Sequence, residues 1–236
     1  MVDDEARCPR GIRVAGATRD AVQLSRLLTE RGIERHLQEL GEAVVSLLEH
    51  DRAAAAGVAH ALAASLTARE WPGDGALAEL LLELAEDRQS EHRRIRADLD
   101  GVADLLEGPA DMGFGGVLDC RTGDTWPAAV IDDWAGEGDP PDPDAAPDLY
   151  LFIPHAGSWE AWEDMRTSLP TSRSTPSVPS CFDAIDGRGA FSRFRRILAR
   201  HDDLRARWYA YSAETRAGRA RDWLAAEGYA AMPPRR

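Results

Sequence analysis

The chain is organised around residues 186–196, whose sequence is DGRGAFSRFRR. Gly187 and Gly189 allow two turns in quick succession, because glycine adopts positive φ angles at little steric cost. Beyond the second glycine, apolar side chains recur at spacings of three and four residues, which predicts an amphipathic helix over residues 189–200. The buried face of this helix is predicted to consist of Phe191, Phe194, Ile197 and Leu198.

Arginines occupy the turn and the remaining faces of the predicted helix. One interpretation is a site for an anion or an acidic partner, because a helix N-terminus presents free N–H groups and the positive end of the helix dipole. The other interpretation is a helical corner whose arginines pair with carboxylates of the same chain, as surface charges commonly do. The candidate anion-binding or partner-binding residues are Arg188, Gly189, Arg193, Arg195 and Arg196.

The segment 184–195, AIDGRGAFSRFR, resembles the C-terminal signature of the bacterial uncharacterised protein family 0158. Residues 118–127, LDCRTGDTWP, resemble the strand–turn–strand element of that family. The resemblance covers roughly residues 98–230 and is most specific in its Gly-Arg-Gly-Ala-Phe core. It implies a shared fold and no particular chemistry, because the family has no assigned activity. Further matching pairs are Trp208-Tyr209, Trp223-Leu224 and Gly228-Tyr229.

The charge of the chain is strongly polarised. Its 236 residues have a formal net charge of −13, which argues against broad binding to nucleic acid or to anionic membranes. Residues 188–236 nevertheless have a net charge of +7, whereas residues 1–187 have a net charge of −20. The simplest prediction from this polarity is that the two parts face each other within one fold.

Cysteine usage and hydropathy predict a cytoplasmic protein. The three cysteines form no CxxC pair, and an odd number suits a reducing compartment better than a disulfide framework. Residues 1–19 are charged and lack the apolar segment of a signal peptide. No apolar run reaches the roughly 18 residues that span a bilayer, so we expect no membrane contact.

The pattern of apolar residues divides the chain into three parts. Residues 1–17 lack periodicity and are predicted to form a flexible tail, whereas residues 18–108 carry leucine stripes at helical spacing. Within this helical region we expect either one bent helix or two helices that are broken near His50 and Asp51. Residues 109–236 are predicted to form an α+β domain.

Strands are predicted only within this α+β domain. Residues 114–120, 125–131 and 149–153 have strand character, and a hairpin turn joins the first two. Residues 132–148 contain seven acidic residues, four prolines and no arginine, which is typical of a flexible loop. The predicted fold class is therefore α+β, with a helical N-terminal part followed by a small antiparallel sheet of about three strands that packs with C-terminal helices.

Patterns for catalysis or metal binding are sparse. His36 and Glu39 lie one helical turn apart, but HExxH and paired cysteines are missing from the sequence. Ser158 is not part of a GxSxG motif and is interpreted as a helix cap, and Cys120 and Cys181 are interpreted as buried thiols. We therefore predict no catalytic residue, no metal site and no cofactor.

Three functions from different classes follow from these patterns. The first is a non-enzymatic regulatory or interaction protein of the bacterial cytosol, which docks an acidic partner through its basic C-terminal helical corner. The second is an anion-binding module for a phosphorylated small molecule or, less in keeping with the overall charge, a nucleic acid. The third is an enzyme whose site follows no familiar motif.

Overall fold

The computed structural model describes residues 7–108, 115–134, 140–155, 157, 159–168 and 189–234. The chain is an α+β protein, as its sequence predicts. The helices are α1 (Arg7–Thr18), α2 (Ala21–Leu27), α3 (Leu37–His50), α4 (Arg52–Arg69), α5 (Asp74–Ala85), α6 (Leu99–Glu107), α7 (Ala128–Asp132), α8 (Trp159–Ser168), α9 (Ala190–Leu198) and α10 (Asp202–Ala226), with a 3₁₀ turn at Ile33–Arg35. The strands are β1 (Arg93–Arg96), β2 (Gly116–Asp119), β3 (Thr125–Pro127), β4 (Tyr150–Ile153) and β5 (Tyr229–Met232).

The N-terminal helices α1–α5 share one hydrophobic core. The leucine stripes of α3 and α5 and the alanine-rich face of α4 form most of it. The predicted break near His50 is confirmed, because α3 ends there and the Asp51 carboxylate caps α4 by accepting a hydrogen bond from the Ala54 N–H at 3.0 Å.

The N-terminal segment differs from its prediction. Over the described residues 7–18 the chain is the helix α1 rather than a flexible tail. Cys8, Ile12 and Ala15 lie at helical spacing and are buried in the core. Two glycines of α1 allow this close packing, because a Cβ at Gly16, for example, would lie only 3.2 Å from the Cβ of Ala43 in α3.

The two parts that were predicted on either side of residue 108 pack together. Strands were expected only after residue 108, yet β1 pairs in parallel with β5 near the C-terminus. Ile95 lies opposite Ala231 in this pair. Met232 belongs to the core of the N-terminal helices, so both ends of the chain are packed into one structure.

The antiparallel sheet has the strand order β3-β2-β4. Leu118 is paired with Thr125 on one side and with Leu151 on the other, and it faces the core formed with α6. The hairpin turn contains Gly123 at φ 82°, as its sequence predicts. The second predicted strand is shorter than expected, because α7 begins directly after Pro127.

The long helix α10 joins these layers. Its C-terminal half packs against α3, α5 and α6. Its N-terminal half contributes Leu204 and Trp208 to a separate small core with α8 and α9. This small core is built around Met165, Ala190, Phe194 and Leu198.

Candidate functional site

The small core between α8, α9 and α10 fixes the position of the predicted arginine-bearing helix. The prediction of a helix is confirmed as α9, and Phe194 within it is only 2% exposed. The Phe194 ring meets Trp208 of α10 edge-on, with ring centroids 4.8 Å apart. Such aromatic pairs stabilise a contact beyond the area they bury. The predicted burial of the Phe191 side chain lies outside what the structure describes.

Of the predicted site residues, the structure brings Gly189 and Arg193 together, since a Cβ at Gly189 would lie 3.3 Å from Nη1 of Arg193. Arg188 lies outside the described residues, and Gly189 precedes α9 with φ 82°. Arg193 is half-buried, whereas Arg195 and Arg196 are exposed. Because successive helical residues are about 100° apart, Arg193 and Arg196 lie near each other and Arg195 lies on the opposite flank. The exposed arginines of α9 therefore place positive charge on more than one side of the helix.

The structure adds two arginines that sequence reasoning did not select. Arg200 follows α9, and Arg207 lies in the second turn of α10, and both are exposed. We call Arg195, Arg196, Arg200 and Arg207 the basic corner. None of these four makes an ion pair with the described part of the chain. Their neighbour Arg205 differs, since it pairs with Asp202 at 2.8 Å.

The arginines of the C-terminal half of α10 are paired within the chain. Arg219 binds Glu107 at 2.8 Å and Asp164 at 2.9 Å, which joins α10 to α6 and α8. Burial opposes the charge of Arg219, but the hydrogen bonds that Arg219 donates to both carboxylates outweigh this effect and raise its pKa. Arg216 contacts Asp104 and Glu107 in the same way. For these residues the interpretation of internal pairing holds.

Arg221 is buried in the centre of the molecule. Its Nε donates to the side-chain oxygen of Gln38 and its Nη1 to the carbonyl oxygen of Ala231, each at 3.0 Å. Burial lowers the pKa of this guanidinium. Through Arg221, α10 is therefore connected to both α3 and β5.

A second buried cluster occupies the N-terminus of α3. The Glu214 carboxylate accepts hydrogen bonds from the backbone N–H groups of Gln38 and Glu39 and pairs with Arg69 at 2.9 Å. Arg69 also donates two hydrogen bonds to Asp74, at 2.6 and 2.8 Å. A helix N-terminus can bind an anion, and here a carboxylate of the same chain fills that position.

A groove of about 1070 Å³ runs between α1, α3 and α10. Small residues of α10 line one wall, at Ala210, Ala213 and Ala217. We call it the acidic groove, because five carboxylates besides Glu214 line it against three arginines. These five are Glu39, Glu42, Glu49, Asp98 and Asp100.

Two other residues that were considered for metal binding or catalysis, His36 and Cys120, are buried. His36 is 3.9 Å from the Glu39 carboxylate, and burial, followed by the charge of Arg35, lowers the pKa of His36 to about 4. Cys120 is buried, which raises the pKa of its thiol, whereas Cys181 and Ser158 lie outside the described residues. No group of three or more histidine, cysteine or acidic side chains suited to a metal occurs among the described residues.

Comparisons with known proteins do not identify the chain. It matches no protein-family profile, and no curated protein or solved structure resembles it significantly. The resemblance to the bacterial uncharacterised protein family 0158 therefore stays a prediction. In the part of the chain that the structure covers, no helix combines the length and the apolar character needed to cross a membrane.

Proposed function

We propose that this protein is a non-enzymatic regulatory or interaction protein that binds an acidic partner through the basic corner. One observation carries the proposal. Four exposed arginines are clustered around the α9–α10 junction without an ion pair to the described part of a chain whose net charge is −13. Arginines farther along the same helix are paired with the chain's own carboxylates.

The shape of the corner favours a macromolecular partner over a small anion. Arg195 and Arg196 are about 100° apart around α9, so they present their charges on different sides of the helix. An acidic protein surface can engage such separated charges, because complementary potentials act over the Debye length of about 10 Å at 0.1 M salt. The Phe194–Trp208 contact holds the two helices in place, which limits the ordering cost of binding.

The test compares two triple variants that have the same net charge. The corner variant carries Arg195→Gln, Arg196→Gln and Arg200→Gln. The control variant carries substitutions of three exposed arginines at the N-terminal end, namely Arg10→Gln, Arg26→Gln and Arg31→Gln. Binding of a fluorescent, glutamate-rich synthetic peptide is measured by anisotropy at low salt.

The corner variant should bind this peptide more weakly than the control variant. Exposed ion pairs contribute up to about 1 kcal/mol each, so the loss of three should weaken binding on the order of 5- to 100-fold. Equal affinities for the two variants would refute the proposal. Retention of a single-stranded oligonucleotide or of pyrophosphate by the wild-type protein, without affinity for the peptide, would instead favour the anion-binding alternative.

A further inference from the structure

We propose that the partner of the basic corner is a second copy of this chain, whose acidic groove receives the corner in a symmetric dimer. This inference rests on the proposed function and names the partner for the same surface. It follows from the positions of the corner and the groove on one helix and from their opposite charges.

The corner and the groove are contiguous along α10. Arg207 of the corner lies three residues before Ala210, the first groove-lining residue of this helix, which is about 4.5 Å along the helix axis. Arg207 is also a neighbour of Ala210 on the helix surface, because the two are three residues apart. One continuous surface therefore carries positive charge at one end and an acidic groove beside it.

The groove is lined by negative charge and by small side chains, which suits the binding of a basic helical corner. Its carboxylates outnumber its arginines, and two of those arginines form pairs that leave both side chains partly exposed: Arg13 with Glu39, and Arg96 with Glu49. Exposed ion pairs contribute little to stability. Arginines of the second copy can therefore join or replace these pairs at a small cost in free energy. The alanines of α10 leave room for side chains of the partner to enter.

Adjacent surfaces of opposite charge are self-complementary under twofold symmetry. When the corner of one copy enters the groove of the other, the same operation places the second corner in the first groove, and the assembly closes as a dimer. Tyr209 lies on α10 next to Ala210 in sequence and on the far side of the helix from Arg207, and its side chain is 63% exposed. Tyrosine is enriched at protein interfaces, so it offers a further contact at the edge of the groove.

The test is a charge-swap experiment on the full chain, read by sedimentation velocity over a range of concentrations. The corner-reversed variant is Arg196→Glu with Arg200→Glu, and the groove-reversed variant is Glu39→Arg with Asp100→Arg. The wild type should dimerise, and higher salt should weaken the dimer, because the Debye length falls to about 3 Å at 1 M salt. Each variant alone should be monomeric, with a dissociation constant raised at least roughly tenfold.

An equimolar mixture of the two variants should dimerise again. In the mixed dimer, the intact corner meets the intact groove and the reversed corner meets the reversed groove, so both contacts are attractive. If the groove-reversed variant does not fold, Glu39→Gln with Asp100→Asn replaces it, and its mixture with the corner-reversed variant retains one attractive contact.

Three outcomes would overturn the inference: a monomeric wild type at every concentration, variants that dimerise as the wild type does, or a mixture that stays monomeric. The proposed function is judged separately by the peptide assay. A corner variant that loses the glutamate-rich peptide while the wild type is monomeric would retain the proposed function and refute only the dimer.

Discussion

Replacing Glu214 with glutamine should destabilise the protein by removing the charge that connects α10 to α3. A glutamine can still accept a hydrogen bond from the Gln38 N–H, but its amide group presents a donor to the guanidinium of Arg69. Removal of one partner from a buried ion pair costs about 3–5 kcal/mol. Arg69 keeps both hydrogen bonds to Asp74, so we expect the lower end, about 3 kcal/mol.

Urea unfolding followed by circular dichroism measures this loss. With a denaturant slope of about 2–3 kcal/mol per molar urea, the unfolding midpoint should fall by about 1–1.5 M. The matched control is Glu163→Gln, which removes a carboxylate that pairs with Arg166 on a more exposed face of α8. Its expected cost is under about 0.5 kcal/mol. Equal midpoints for the two variants would refute the assignment of Glu214 as a buried link between the helices.

Two further changes test other parts of the packing. A Cβ at Gly218 of α10 would overlap the carbonyl oxygen of Pro72, so Gly218→Ala should destabilise by more than about 1 kcal/mol. The control Gly57→Ala has open space around it and should stabilise by up to about 1 kcal/mol; thermal unfolding in which both changes act alike would contradict this packing. Burial, followed by the Arg35 charge, lowers the pKa of His36 from 6.5 to about 4. Because the pKa of His36 is higher in the unfolded chain, the unfolded chain binds a proton at His36 first. The free energy of unfolding should therefore fall as the pH decreases from 6.5 to about 4. In His36→Asn this decrease should be smaller by up to about 3 kcal/mol, and an unchanged pH dependence in urea unfolding would show that His36 is not the group responsible.

Local patterns predicted the elements whose apolar residues are close in sequence. The α3–α4 break, the helix α6 and the helix α9 all follow from stripes at helical spacing within one short segment. The tail prediction failed although Cys8, Ile12 and Ala15 have that same spacing. Pro9 and Gly11 between them lower the local helix propensity, and packing against the neighbouring helices overrides that preference.

Pairings between distant segments could not be predicted from local patterns. The strand β1 has the sequence RRIR, with one apolar residue, and its partner β5 lies more than a hundred residues away. Short strands of this kind become stable only when another strand and a core are supplied by the rest of the chain. The ion pairs of Arg219 and the hydrogen bonds of Arg221 have the same origin, because their partners come from α6, α8, α3 and β5.

The charge polarity of the sequence has two separate physical consequences along α10. Where this helix crosses the core, Arg216, Arg219 and Arg221 are paired or buried, so their charges position α10. Where it leaves the core towards α9, the charges of the basic corner stay exposed on a junction held by apolar contacts. Removing a paired arginine therefore leaves a buried carboxylate without its partner and lowers stability, whereas removing an exposed one changes mainly the potential that a partner meets. Substitutions of paired arginines and of exposed arginines in α9 and α10 should therefore change stability and partner binding separately.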